Sequence, residues 1–435
     1  MKKLFFTLFS AATAFAALAG TVTVNGIVYQ YGTESEAAGE ATAIRCTAEL
    51  PTVVVMENKV TDGTDEYVVT AIGARLFQDK TKVTSITLPE GIKKIYYNAF
   101  FGTSKLEEIK NVPEELESLG SDSFADSRYV QILTGEEGVY LFGGYAIAYI
   151  GEITTETVIT FPKNTKGICY AFFKFPGNKG GNMVRKVVLN EGLQEIQQRA
   201  FEYCYISEIN IPSTVTYIDP DAFSNSNLEQ FIVSEGNSTY TAVDGILFTA
   251  DMKTLYLYPS YKEGESYIVP DGVTTINNYA FYGAFKIKEL TICEGIAEIN
   301  QQVIRNMGAL ETLHLPSTVS NIKMGNFVSC SKLKEITLAA AVPPAYTGTD
   351  LSAFAETTTL YVPEGSIEAY KADSNWGKIL NIKKLSEYSA AELISEENAV
   401  ETIRYDITGR ILSTPQKGIN IIKMSDGSVK KELVK

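Results

Sequence analysis

VTSITLPEGIKKIYYNAF, running from Val83 to Phe100, decides the fold, because the chain writes nearly the same phrase again as LETLHLPSTVSNIKMGNF from Leu310 to Phe327. Further copies run from Val184 to Phe201, Ile206 to Phe223, Tyr267 to Phe281, Ile287 to Ile304 and Leu333 to Phe354, with a degenerate one from Leu106 to Phe124. The closing residue recurs tightly: 23 residues separate Phe77 from Phe100, 22 separate Phe201 from Phe223, and 23 separate Phe281 from Ile304 and Ile304 from Phe327. A fixed period in the twenties around an L-x-x-I-x-L core predicts a leucine-rich-repeat solenoid, whose turns bury their apolar faces only against one another. The expected fold is a β-rich, right-handed coil of about 11–12 turns, with a sheet of short strands, hairpin insertions and terminal caps.

Within one copy, the alternation of L-x-x-I-x-L reads as a short strand with Ile and Leu pointing inward. Pro89, Pro212, Pro270 and Pro316 then stop it, since proline has no amide proton for a further ladder bond. A V-x-x-I pair on the opposite wall comes next, as in Ile92 and Ile95 or Val215 and Ile218, and Ala-Phe closes the turn. Stacked Phe77, Phe100, Phe201, Phe223, Phe281 and Phe327 are expected to form an internal aromatic spine. Cys204 and Cys330 share the slot three residues after the closing Phe, about four turns or ~19 Å apart at ~4.8 Å per strand. That exceeds the ~7 Å between Cα atoms that a disulfide tolerates, so both read as buried structural thiols.

Two copies carry similar insertions. Tyr240 to Pro259 includes Val243-Asp244-Gly245-Ile246 and Leu255-Tyr256-Leu257-Tyr258, and Gly138 to Ile150 includes Gly143-Gly144 between two apolar runs. Both read as β-hairpins beside the coil. They are candidates for ligand contact, with packing as a lid on their own repeat the plainer reading.

Residues 1–19 have the lysines, apolar run and Ala-x-Ala end of a secretory signal peptide. Residues 20–70 are strand-like and off period, which predicts an N-terminal β cap. Residues 71–384 hold the repeats and end in a strand and short helix whose Tyr370 and Trp376 cover the core. Residues 385–398 read as a linker, and 399–435 as a separate β unit. The 38 basic residues against 52 acidic ones give a net charge of −14, which sets nucleic acid aside, because that affinity comes mainly from neutralising phosphates. No stretch after the leader has the ~20 apolar residues of a membrane-spanning helix.

The strand, the proline, the Ala-Phe close, the Asp-Gly hairpin and the run Val362-Pro363-Glu364-Gly365-Ser366-Ile367-Glu368-Ala369-Tyr370 together resemble the BspA-like leucine-rich repeat surface proteins of Bacteroidota and other bacteria. The resemblance covers most of residues 21–384. It implies a secreted or cell-surface, non-enzymatic protein of a Gram-negative bacterium, some relatives being adhesins for host matrix proteins such as fibronectin and fibrinogen or for other bacteria. The tail is similar to the C-terminal sorting domain of the type IX secretion system through Tyr405, Asp406, Gly409, Arg410, Gly418, Gly427 and Lys430. That similarity implies the outer-membrane secretion machinery as a partner.

Sites for chemistry are thin. His314 is the sole histidine and falls at an outward strand position, so it cannot build a multi-histidine metal site. A triad would need Thr337 or Thr291 beside it with Glu289 or Glu335 as orienting acid, and the expectation is a solvated ladder histidine instead. No catalytic residue, cofactor or metal is expected. Binding is expected on the outward strand face at Glu208, Asn210, Glu289, Thr291, Thr312, His314, Glu335 and Thr337, and on the hairpin at Tyr256 and Tyr258. This face reads as polar, with more acid than base, and suits a protein or glycan partner on a host or bacterial surface. The alternative is an envelope glycan-binding accessory or glycoside hydrolase, with Glu289 and Glu335 two strands apart, ~9.6 Å at the usual ~4.8 Å spacing.

Overall fold

The computed structural model describes residues 19–33, 37–47, 49–173, 183–348, 350–388, 401–406, 411–412, 414–424 and 429–434. The leader expected at 1–19 therefore lies outside them, Ala19 excepted. The chain forms two units: residues 1–134 with 142–145, and residues 135–141 with 146–435.

Short parallel strands fill the L-x-x-I-x-L slot in both. In the first unit they are β1 (Val53–Val55), β2 (Ser85–Thr87) and β3 (Glu108–Lys110), paired in that order. The second unit continues with β4 (Val158–Thr160), β5 (Lys186–Val188), β6 (Glu208–Ile211), β7 (Gln230–Val233) and β8 (Ser266–Ile268). It ends with β9 (Glu289–Thr291), β10 (Thr312–Leu315), β11 (Glu335–Leu338), β12 (Thr359–Val362) and β13 (Asn381–Lys384). Strands β4 and β5 pair, β6 and β7 pair, and β8 to β13 form one six-stranded sheet. The solenoid thus has about 13 turns rather than 11–12. One uncounted turn has Phe161 instead of Leu just after its β4 strand, and another begins at Val53, inside the stretch read as cap.

Register keeps the inward row continuous: Leu290 pairs with Leu313, Leu313 with Ile336, and Ile336 with Leu360, each at most 1% exposed. Behind it, the V-x-x-I residues form the second wall, where Glu195–Ile196 pairs with Tyr217–Ile218. The Ala-Phe corners add a third line of inter-turn bonds, such as Phe77 N–H to the Ala99 carbonyl at 2.8 Å and Phe100 N–H to Ser123 at 2.9 Å. Several corners bend through two left-handed residues four positions apart, among them Asn98 and Gly102, Arg199 and Tyr203, and Gln302 and Asn306. At Gly102, with φ at +64°, glycine meets the left-handed bend without the strain of a side chain.

A side-chain clasp recurs between turns. Glu191 accepts both the backbone N–H and the hydroxyl of Ser213, and the Gly192 N–H donates to Thr214 Oγ1 at 2.9 Å. Glu294, Ser317, Gly295 and Thr318 repeat the same bonds farther along. Glu-Gly in one turn and Pro-Ser-Thr-Val in the next thus lock the turns in step.

The aromatic spine is segmented rather than continuous. Phe77, Phe100 and Phe124 stack with centroids 5.6 and 5.2 Å apart, and Phe201 stacks on Phe223 at 5.1 Å. Ile304 interrupts the row, and Phe281 packs obliquely on Tyr258, from the inserted turn, and on Tyr267 of β8. Cys204 and Cys330 are buried free thiols in their shared slot, five turns apart once the inserted turn is counted, and burial lifts the Cys330 thiol to about 11. At the C-terminal end, Tyr370 and Trp376 are fully buried and donate to the carbonyls of Ala340 and Pro344.

Candidate functional site

The outward strand face of the second unit divides into two zones. Around β4 to β8 it is apolar as well as polar: Val158, Val188, Ile232 and Ile268 are 47, 43, 43 and 42% exposed. Glu208 and Asn210 lie among them, Glu208 taking a bond from Gln230 at 3.0 Å and Asn210 one from Ser234 at 3.3 Å. Four outward slots of the face read as polar from the sequence thus carry Val or Ile.

The second zone holds Glu289, Thr291, Thr312, His314, Glu335 and Thr337, and its centre is covered. His314 Nδ1 lies 2.8 Å from Thr337 Oγ1, and its Nε2 lies 3.1 Å from Glu289 Oε1, across three adjacent strands. Tyr388 sets its ring edge-on against His314 at 5.4 Å and against Tyr361 at 5.1 Å, while the Tyr361 hydroxyl donates to Glu335 at 3.2 Å. The His314 side chain is consequently 12% exposed, so it is not the solvated ladder histidine expected, and Thr337 beside it is 7% exposed. Leu385 to Tyr388, read from the sequence as the start of a linker, makes one 3-10 turn and lays this tyrosine over the sheet.

A hydroxyl, an imidazole and a carboxylate in a row invite comparison with a nucleophilic triad. Thr337 lies inside the ladder with strands on both sides, so the backbone donors that an oxyanion would need are committed, and Tyr388 stands over the imidazole. Glu289 and Glu335 do lie two strands apart, but each is engaged, one by His314 and the other by Tyr361.

The second insertion belongs to the core. Tyr240–Val243 pairs with Ile246–Thr249 through a tight Asp244-Gly245 turn, and Thr254–Leu257 then joins Thr275–Ile276 of the wall. Ile246, Leu247, Phe248 and Leu255 are each at most 2% exposed. Tyr258 is 5% exposed and packs on Phe281, so it is withdrawn from the exposed binding residues. Tyr256 is half-buried and donates its hydroxyl to the Ile218 carbonyl, while Tyr240 Oη accepts the Ile218 N–H at 3.0 Å. These two hydroxyls satisfy a wall strand at the point where the inserted turn interrupts its backbone ladder.

Beside that interruption lies a polar group that sequence reasoning missed. Tyr217 donates to Asp219 at 3.1 Å, Arg199 Nε to Asp221 at 3.0 Å, and Gln197 to Glu195 at 2.8 Å. Burial raises the carboxyl pKa of both Glu195 and Asp219. The only signal in the sequence was a crowding of Tyr and Asp just after the V-x-x-I pair.

In the tail, Glu401–Asp406, Ile411–Leu412, Gly418–Met424 and Val429–Val434 form an antiparallel sheet. Tyr405, Asp406, Gly418 and Lys430 lie on these strands, and Gly409, Arg410 and Gly427 fall outside the described residues. Arg404 organises the unit, holding both oxygens of Glu401 at 2.8 and 2.7 Å and reaching Asn420 and Glu432. Among the described residues no cluster of three or more His, Cys, Asp or Glu has a metal-holding arrangement, and no helix is long and apolar enough to cross a membrane.

A coil of 22–24-residue turns with a strand, a wall and a closed corner in each defines a leucine-rich-repeat β-solenoid. Residues 62–177, 159–257 and 256–364 match the BspA type leucine rich repeat region, and the chain belongs to that family. Among solved structures, it is similar to the pneumococcal vaccine antigen PcpA, at 20% identity over 84% of this chain and 98% of that one, with a TM-score of 0.42. A leucine rich cell surface protein from Faecalibacterium prausnitzii A2-165 gives 20% identity over 86% and 96%, with a TM-score of 0.43. A leucine-rich repeat protein from Bacteroides ovatus ATCC 8483 gives 19% over 83% and 99%, with a TM-score of 0.24. No curated protein matches the chain.

Proposed function

We propose that the chain is an exported surface protein that binds a protein partner through the outward face of β4 to β8. The observation that carries this reading is the group Val158, Val188, Ile232 and Ile268, apolar and more than two-fifths exposed, set among Lys186, Glu208, Asn210 and Gln230. Apolar side chains interspersed with polar ones are the usual make-up of a protein interface. The partner class is a host matrix protein or a surface protein of another cell, as the BspA resemblance implies. The tail is the sorting signal that delivers the protein to the outer surface.

Binding of the leaderless chain to immobilised fibronectin and fibrinogen tests the adhesive role. The double variant Val188→Lys, Ile232→Lys is expected to lose that binding at least tenfold while its thermal melt is kept, and equal binding would refute the strand-face site. Removing residues 399–435 is expected to abolish surface display, and unchanged display would remove the sorting role.

A further inference from the structure

Strand β1 opens the strand-face sheet of the first unit and pairs on one side only, with β2. The Thr52 carbonyl accepts the N–H groups of Thr84 and Ser85 at 2.7 and 3.2 Å, and the Met56 N–H donates to the Thr87 carbonyl at 3.1 Å. Alternate residues of a parallel strand face the same neighbour, so Val54 turns its backbone to β2 while Val53 and Val55 turn theirs away. Among the described residues, no strand lies on that side to meet their two N–H groups and two carbonyls. Their side chains are 54 and 60% exposed, whereas Val54 is buried in the core.

Charged side chains normally guard such an edge. β3, the other edge of the same sheet, carries Glu108 and Lys110, and β13, the last strand of its own sheet, carries Lys383 and Lys384. β1 carries only valines, and no charge falls between Leu50 and Met56. Its far end is acidic. Glu57 follows the strand and accepts from the Asn25 amide at 3.0 Å, and Glu90 is held beside it by its N–H, which donates to Asn58 Oδ1 at 3.0 Å. The lysine nearest in sequence, Lys59, is taken by Glu66 at 3.0 Å. At the near end opens a cleft of about 490 Å³, lined in part by Leu50 and Thr81, whose charges cancel, Lys80 and Lys82 against Glu49 and Asp79.

We propose that β1 is a docking edge for an extended segment of a partner protein, which adds to the sheet as an antiparallel strand. Its backbone supplies the four ladder bonds that Val53 and Val55 lack, and its β-branched side chains pack beside these valines. A Lys or Arg ahead of them meets Glu57 and Glu90, and an uncharged polar side chain at the other end enters the neutral cleft. Donors and acceptors alternating at strand spacing are matched by another extended backbone. The antiparallel direction is the more stable per residue, and it sets the basic residue N-terminal to the apolar ones. Two copies of this chain paired antiparallel about Val54 would place Pro51, without charge or N–H, against Glu57, so the occupant is a different chain.

The outward face of β4 to β8 takes no part, so this proposal and the adhesive reading fail separately. The leaderless chain is titrated into the peptide acetyl-Lys-Thr-Val-Thr-Val-Ser, read by the anisotropy of a fluorophore at its C-terminus. Saturable binding is expected, and the same peptide N-methylated at its four central residues, or with Glu in place of Lys, is expected to bind tenfold more weakly or worse. Val55→Pro removes one outward N–H and no bond to β2, and is expected to weaken binding equally with its melt kept. Glu57→Lys is expected to bind the Glu peptide more tightly than the parent does, and Val188→Lys, Ile232→Lys to bind the Lys peptide as the parent does. The N-methylated peptide needs no protein variant, so the backbone ladder is tested even where Val55→Pro does not fold. Absence of saturable binding, equal binding of the N-methylated peptide, or equal binding by a folded Val55→Pro variant overturns the proposal. A chain that sediments as a dimer, and as a monomer in Val55→Pro, overturns it in favour of a second copy.

Discussion

Tyr240 Oη accepts the backbone N–H of Ile218 at 3.0 Å, and Tyr256 answers from the same hairpin by donating to the Ile218 carbonyl. Side chains thereby stand in for a strand that is absent. Tyr256→Phe strands a buried carbonyl and is expected to cost about 1–3 kcal/mol in a urea melt. Hydrogen exchange at Ile218 should accelerate in Tyr240→Phe, whose loss leaves that amide unpaired, and unchanged protection would contradict the assignment.

The Glu294–Ser317 clasp gives an acid-side expectation. Hydrogen bonds, led by the Ser317 amide, hold the Glu294 carboxyl below its ordinary pKa. Its contribution is therefore complete above the unfolded glutamate value and is lost as pH falls through the lower, folded one. Glu294→Gln should lower the melting temperature at pH 7 and converge with the parent at the acid end. Parallel curves at every pH would exclude the linkage.

Asp219 has the opposite sign. Burial raises its folded pKa, so its favourable contribution exists below the unfolded aspartate value and disappears as pH rises through the folded one. Asp219→Asn is expected to stabilise the array at neutral pH and to be without effect near pH 3. A variant that melts lower at pH 7 would contradict this.

His314 is the sole histidine, which makes it a clean reporter of the Tyr388 cover. Diethyl pyrocarbonate should modify the parent slowly and Tyr388→Ala about tenfold faster, followed by absorbance. Equal rates would show that Tyr388 does not shield the imidazole.

Phe281→Ala removes a fully buried ring and is expected to cost about 3–5 kcal/mol. Because its ring contacts are Tyr258 and Tyr267, the loosening should appear in hydrogen exchange around residues 255–290 first. Uniform loss of protection across the second unit would argue for a continuous core instead.

The repeat itself was plain in the letters, since Leu, Ile, Pro and Ala-Phe recur at positions that only stacking explains. The turn at Val158 was hidden because Phe161 holds the place of Leu. The fate of His314 could not be read locally, as the ring covering it comes from Tyr388, 74 positions later and outside the period. The hairpin tyrosines misled for a related reason: Tyr256 and Tyr258 look like recognition residues until the interrupted wall strand is known.

Closure of the inserted turn by two phenols has an evolutionary reading. A coil held only by peptide-to-peptide bonds would have to shift every later turn to admit extra length, whereas β8 to β13 keep their parallel register beyond this hairpin. Lineages can therefore splice novelty into such a coil at a wall strand without disturbing the rungs beyond it, provided two hydroxyls arrive with the cargo.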